Sequence, residues 1–282
     1  MFTDPSFRDP LLPLEISDTV AQRQRQVLDK VEAALARDDA FLLFQPVFDS
    51  RRPDRVAFYE GLIRIRDETG QTIPAGHFMD LCDAHPLGRE IDCTAIRLGL
   101  RALQERPDVR LSINMSARSI GHAAWLDAFQ DGIGGDPTVC DRLILEITES
   151  SAMETPDVTA IFMEQLQAYG VSFALDDFGA GCTSLRQFRD FRFDILKIDK
   201  FFIRDLDKDP DNRAIVSSLL SLARHFDLLT VAEGVETAGE SLAASDLGID
   251  CLQGYLHGMP AELPDEGSQG TGRLLKAASG GY

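Results

Sequence analysis

Apolar positions along this chain follow two rhythms. From Ile16 to Arg37 they recur with a helical period: Val20, Val27, Val31 and Ala34 form one stripe, Leu28 and Leu35 flank it, and Gln and Arg hold the other face. The stretch is short for a coiled coil, and its expected role is packing against the domain that follows. Beyond it, short apolar runs recur at Phe41–Val47, Arg55–Ile63, Val109–Met115, Arg142–Thr148, Val171–Asp177, Asp194–Ile198, Leu229–Gly234 and Ile249–Gln253. Each has strand length and is rich in Val, Ile, Leu or Phe. Helical patterns separate most of them, over His77–Ala84, Gly88–Glu105, Ala123–Asp131, Pro156–Tyr169, Asn212–Phe226 and Thr237–Leu247. Strands alternating with helices predict a parallel sheet covered by helices, and eight strands in about 220 residues match a closed β/α barrel. The first connection breaks the pattern. Only Phe48 to Asp54 separates the first two runs, too few residues for a parallel crossover, so strand one is expected to run antiparallel to strand two. The division expected is 1–39 as an N-terminal tail and helix, 40–262 as the barrel, and 263–282, rich in Gly, Ser and charge, as a flexible end.

Composition narrows the function classes. With 282 residues and 44% hydrophobic content, one large α/β domain with a substantial core fits. The net charge of −18 disfavours binding to duplex DNA or RNA and to anionic membranes. The five cysteines lack metal or redox spacing and their number is odd, which reads as reduced thiols in a cytoplasmic protein. Met1 to Ser17 carries prolines and charges where a signal core would be apolar, and no apolar run approaches the roughly 20 residues of a membrane span.

Polar residues at the downstream ends of the apolar strands carry the candidate chemistry. Glu60, Asn114, Glu146, Asp176 with Asp177, Lys197, Glu233 and Gln253 all occupy such positions. In the fourth run Leu143, Leu145 and Ile147 share one face, while Ile144, Glu146 and Thr148 share the other. The all-apolar face belongs against the helices, so Glu146 points into the barrel, and the same alternation turns Asn114 inward. Barrel sites form at these C-terminal strand ends. Taken singly, Glu60 reads as an exposed or salt-bridged residue, Asp176–Asp177 as a strand cap or turn, and Lys197 as a buried ion-pair partner. Together, converging carboxylates would repel one another and raise each other's pKa values, and bound metal relieves that. The donors are all oxygens and the five histidines show no metal spacing, which suits Mg²⁺ or Mn²⁺ better than zinc.

The stretches Phe44-Gln45-Pro46, Glu60-Gly61-Leu62-Ile63-Arg64, Asn114-Met115-Ser116, Glu146-Ile147-Thr148-Glu149, Asp176-Asp177-Phe178-Gly179, Lys197-Ile198-Asp199, Ala232-Glu233-Gly234-Val235-Glu236 and Gln253-Gly254-Tyr255 follow in order. With them the chain resembles the EAL family of cyclic di-GMP phosphodiesterases, from Phe41 to Pro260. The resemblance implies a modified (β/α)8 TIM-like barrel with an antiparallel first strand, and a homodimeric bacterial signalling enzyme that hydrolyses cyclic di-GMP to linear pGpG. It implies two Mg²⁺ or Mn²⁺ per site: Glu60, Asn114, Glu146 and Asp176 on one, and Asp176 bridging to a second completed by Asp177 and Glu233. Lys197 would orient the attacking water. Arg64 would bind substrate phosphate and Gln45 would also contact substrate, Glu236 and Gln253 would support the water and metal shell beside the substrate, and Glu149 would anchor the loop after Asp177. The alternative is a non-catalytic cyclic di-GMP receptor, which usually lacks some metal ligands; here none is missing. The chain departs from the family pattern at Gly61, where the signature has Ala, and at Ala180 and Cys182 in the loop that follows Asp177.

Overall fold

Two residues, Ser50 and Arg51, join β1 (Ala40–Asp49) to β2 (Arg52–Arg66). So short a link permits only a hairpin, and β1 pairs antiparallel with β2 from Ala40 opposite Ile65 to Pro46 opposite Tyr59. The computed structural model describes residues 12–83, 85–179 and 191–264. After the hairpin the strands are β3 (Thr72–Pro74), β4 (Leu111–Asn114), β5 (Leu143–Thr148), β6 (Ser172–Phe178), β7 (Ile195–Ile198), β8 (Leu229–Ala232) and β9 (Cys251–Leu252). Their spatial order is β1-β9-β8-β7-β6-β5-β4-β2, and the β1–β2 pairing closes the ring. From β2 through β4 to β9 each barrel pairing is parallel, whereas β1 is antiparallel to both its neighbours. This is the eight-stranded barrel with a reversed first strand that the hydrophobic pattern and the short first connection predict. The ninth strand, β3, was not legible; it pairs with the far end of β2, beyond the ring.

Helices Pro86–Glu105, Ala123–Ile133, Pro156–Gln167, Pro210–His225 and Ala238–Leu247 cover the outside. Their starts are chemically marked. Asp209 accepts from the amides of Asp211 and Asn212 ahead of Pro210 at the first helical position, and Thr237 and Glu240 form a reciprocal capping box. The predicted helix His77–Ala84 is instead a 3₁₀ turn, Ala75–His77, followed by one helical turn, Met79–Cys82. Phe78 interrupts it at φ −137° and is buried beneath it.

The outward faces of the strands meet the helices in the larger core. Leu143, Leu145 and Ile147 of β5 and Phe173 and Leu175 of β6 lie there beside Trp125, Phe129 and Phe162, with aromatic rings edge-on at 5.6–6.2 Å. Aromatic pairs of this kind add to the gain from burial. The N-terminal helix, Leu12–Ala36, reaches the same core through Val31 and Ala34. Val20, which shares their stripe, is exposed, as are residues 21–26, because that end of the helix extends past the surface it packs on. No helix among the described residues is long and apolar enough to cross a membrane.

Candidate active site

The barrel interior is layered. Val47, Phe58, Ile144, Ala174, Ile195, Val231 and Cys251 form an apolar plug. Side chains alternate across a strand, so the next inward position on each strand is two residues away. Those positions are Gln45, Glu60, Glu146, Asp176, Lys197, Glu233 and Gln253, and Ser112 is likewise followed by Asn114. On β1 the step runs backwards, from Val47 to Gln45, because that strand is reversed. One pleat therefore converts a hydrophobic layer into a polar one at the C-terminal mouth, where barrel active sites form. The predicted inward placement of Glu146 and Asn114 holds.

Lys197, 1% exposed, sits at the centre. Its Nζ lies 2.6 Å from Glu146 Oε2, 2.8 Å from Glu233 Oε1, 3.0 Å from Asp176 Oδ1 and 3.4 Å from Glu60 Oε2. Amides complete the layer. Asn114 Nδ2 donates to Glu60 Oε1 (2.8 Å), Gln253 Nε2 donates to Glu60 Oε2 (2.6 Å), and Gln45 Nε2 donates to the Gly258 carbonyl (3.1 Å). Four carboxylates thus share one ammonium. Burial disfavours the Lys197 charge, but Asp176, Glu146, Glu233 and Glu60 outweigh it and hold the pKa well above the usual lysine value. Burial and the neighbouring Glu60 push Glu146 up to about 8. Burial also lifts Glu233 well above the carboxylate range. Glu60 goes down: burial raises it, but Lys197, Gln253 and Asn114 together prevail.

Asp177 holds the strained position. Its φ of +53°, a region non-glycine residues rarely adopt, follows the irregular pairing of β6 with β7 between Leu175 and Phe178. The kink lets two consecutive aspartates face the same mouth, which regular alternation forbids. Partial burial, Asp176 and Asp199 push Asp177 up to about 6. Beyond it, Glu149, 3% exposed, accepts a hydrogen bond from the Gly179 amide at 2.9 Å, bridging the β5 and β6 loops. The loop departures Ala180 and Cys182 lie outside the described residues, as does the tail from 265 onward.

Oxygen atoms of Asp176, Asp177 and Glu233 lie within 4.8 Å of one another, close enough to hold a single cation. Glu146 Oε1 and Asp176 Oδ1 are buried without a hydrogen-bond partner among the described residues, although the latter is within ion-pair distance of Lys197. Buried carboxylate oxygens left unmatched and an excess of negative charge are what a hard divalent cation corrects, and every donor present is oxygen. The residues fit such an ion.

Two cavities flank this layer, and Asp177 lines both. The larger, about 600 Å³, is walled by Leu62, Met79, Ile91 and Asp92 and reaches Asn114 and Asp176. The smaller, about 310 Å³, is lined by Gln45, Glu60, Glu236, Gln253 and Tyr255. Arg64, two pleats past Glu60 on β2 and half-buried, donates to the Ile63 carbonyl at 2.8 Å. Burial lowers its pKa, and nearby Glu60 and Tyr255 counter this. Glu236 is exposed at the rim. Of the site residues expected from sequence, Gln45, Glu60, Asn114, Glu146, Asp176, Asp177, Lys197, Glu233, Glu236 and Gln253 converge on one mouth, whereas Arg64 and Glu149 line neither cavity. Three others lining the mouth were missed. Asp199 faces Asp177 and accepts from the Phe201 amide at 2.7 Å. Its signal was parity, two residues after Lys197. Tyr255 is 61% exposed and Asp92 4% exposed; Asp92 comes from a helix, where strand alternation says nothing.

Similarity to known proteins agrees with this geometry. The chain is 35% identical over 251 residues to the bifunctional diguanylate cyclase/cyclic di-GMP phosphodiesterase MucR of Pseudomonas aeruginosa, covering 86% of this chain and 36% of that protein. It is 32% identical over 258 residues to the cyclic di-GMP phosphodiesterase PdeF of Escherichia coli, covering 90% and 34%. It therefore spans about a third of the length of the curated relatives it matches. Among solved structures, the MucR phosphodiesterase in complex with c-di-GMP superposes with a TM-score of 0.73 at 34% identity, over 84% of this chain and 98% of that one. The EAL domain family model matches residues 28–260, which include every strand of the barrel and every residue of the polar layer, and the chain belongs to that family.

Proposed function

We propose that this domain hydrolyses cyclic di-GMP to linear pGpG. The carrying observation is a complete oxygen-donor layer around Lys197, set between two cavities large enough for nucleobases. A symmetric dinucleotide could lay one half in each cavity and its phosphodiester over the carboxylates between them. In this reading Glu60, Asn114, Glu146 and Asp176 hold one Mg²⁺ or Mn²⁺, and Asp176, Asp177 and Glu233 a second. Two such ions, when bound, supply Lewis acidity and an activated water. Lys197 donates a hydrogen bond that orients the attacking water, Arg64 pairs with phosphate through its guanidinium fork, and Gln45, Glu236 and Gln253 line the substrate's path. Glu149 keeps the loop after Asp177 in place. Relatives named as cyclic di-GMP phosphodiesterases support the substrate. The full donor set favours an enzyme over a receptor that binds without cleaving. The same reading makes the protein a cytoplasmic homodimer. Incubation of the purified chain with cyclic di-GMP and Mn²⁺, with chromatography of the products, tests it. The expected product is the linear dinucleotide; binding without cleavage indicates the receptor, and neither binding nor cleavage refutes the proposal.

A further inference from the structure

A buried carboxylate outside the donor layer ties down the loops that carry part of it. Glu240 is 5% exposed. Its Oε2 accepts from the amides of Glu236 and Thr237, each at 3.0 Å, and its Oε1 accepts from the Asp205 amide at 3.0 Å. The first two amides belong to the loop after β8, which bears Glu233 and Glu236. The third belongs to the loop after β7, which bears Asp199 and Lys200. The two loops also meet where Gly234, at φ +63°, leaves room for Lys200: a Cβ there would come within 2.5 Å of the lysine's own Cβ. On its far side the β8 loop is held by Val235, which donates to the Gln253 carbonyl, accepts from Leu256 and buries its side chain among Ile198, Ile203 and Leu252, and the Glu233 amide donates to the Ile198 carbonyl. Among the described residues, Glu240 is the side chain that accepts from both loops. Three backbone amides on one carboxylate hold it below the usual glutamate range despite burial. Capping the helix Ala238–Leu247 needs only the exchange with Thr237; the bond to Asp205 reaches across to another loop.

We propose that Glu240 is a positioning residue for the candidate site: it fixes the β8 loop against the β7 loop and so sets where Glu233 and Glu236 stand. The assignment rests on the metal-dependent reading above. Supporting groups one step behind the ligands typically alter metal affinity by roughly ten- to a hundredfold, and Glu240→Ala is expected to weaken Mn²⁺ binding by that factor. Glu240→Gln keeps an oxygen acceptor and is expected to fall between Glu240→Ala and the natural protein. Thr237→Ala removes the hydroxyl cap on the same helix and leaves the carboxylate, so it should lower the melting temperature with Mn²⁺ affinity unchanged.

Calorimetric titration of the metal-free natural protein and the three variants with Mn²⁺, at a temperature where circular dichroism shows each folded, makes the comparison. Raising Mn²⁺ should also restore much of the lost turnover in Glu240→Ala, which a purely structural role would not predict. Weakening of Mn²⁺ binding by Glu240→Ala of less than about threefold, or equal weakening by Thr237→Ala, overturns the assignment. Should Glu240→Ala not fold, Glu240→Gln decides by the same threshold. A natural protein that binds no Mn²⁺ refutes the metal reading itself, a result distinct from normal binding in the natural protein and in Glu240→Ala alike.

Discussion

Replacing Lys197 by Met separates a structural ammonium from a catalytic one. Methionine keeps much of the volume and removes the charge that four carboxylates share at 2.6–3.4 Å. Taking one partner from a buried charge cluster typically costs about 3–5 kcal/mol, because the remaining charges are left uncompensated. Proton uptake by Glu146 and Glu233, whose pKa values are already raised, keeps the loss near that range despite the number of partners. For a domain of this size each kcal/mol shifts the melting temperature by about 2–4 °C, so metal-free Lys197→Met should melt on the order of 10 °C lower. Saturating Mn²⁺ should restore most of that difference, since a divalent cation compensates the same carboxylates. Turnover should not return with stability. If Lys197 orients the attacking water, the folded, metal-loaded variant should lose at least roughly a hundredfold, about 2.7 kcal/mol of barrier. Melting curves with and without Mn²⁺, paired with single-turnover cleavage, give both numbers. A folded variant with near-normal turnover removes Lys197 from the mechanism. A metal-free variant as stable as the natural protein refutes the charge argument.

Chelation with EDTA should abolish cleavage, and Mg²⁺ or Mn²⁺ should restore it; full activity in demetallated protein refutes the metal site. Arg64→Ala should weaken cyclic di-GMP binding by about 1.5–3 kcal/mol, the worth of a charged hydrogen bond, whereas Glu60→Ala should cut turnover while calorimetry still detects binding. Gly61→Ala restores the family's signature residue, but the new Cβ would come within 2.7 Å of Ile113 Cδ1, which also packs so closely on Gly99 that a Cβ there would lie 2.8 Å from it. Overpacking of about 1–3 kcal/mol, partly offset by about 0.5–1 kcal/mol from replacing a strand glycine, should leave a small net loss of stability. Adding Ile113→Val should recover it, and denaturant melts of the single and double variants would expose an additive pair. Asp92 is pushed up to about 7 by burial, against its bonds from Ser119 and the Ser116 amide. In the folded protein it keeps a proton that the unfolded chain gives up above about pH 4, so its contribution to stability falls as pH rises from 4 to 7. Asp92→Asn retains an acceptor for both bonds and should be the more stable form at pH 8; a natural protein with the flatter pH profile contradicts this.

Local alternation determined much of what matters here. Period-two patterning told which face of β5 met the helices and which carried Glu146, because a strand's side chains must point to opposite sides whatever surrounds it. The brevity of the link between β1 and β2 likewise left only a reversed first strand. Other features are set between elements and have no local pattern. Adjacent strands are staggered around a closed barrel, so only the ring decides that residues as far apart as Glu60 and Glu233 reach one ammonium. Asp177 joins the mouth because the β6–β7 register slips, reversing what alternation alone would assign. Gly61 stands out in the sequence only as a departure from the family's Ala, yet the fold makes it a seat for Ile113 on the outer face. Nothing in the local pattern marks Glu240 for the site; only folding brings the Asp205 amide to its second oxygen. A chain specifies the direction of each side chain over a few residues, but which side chains meet is decided by the closure of the barrel around them.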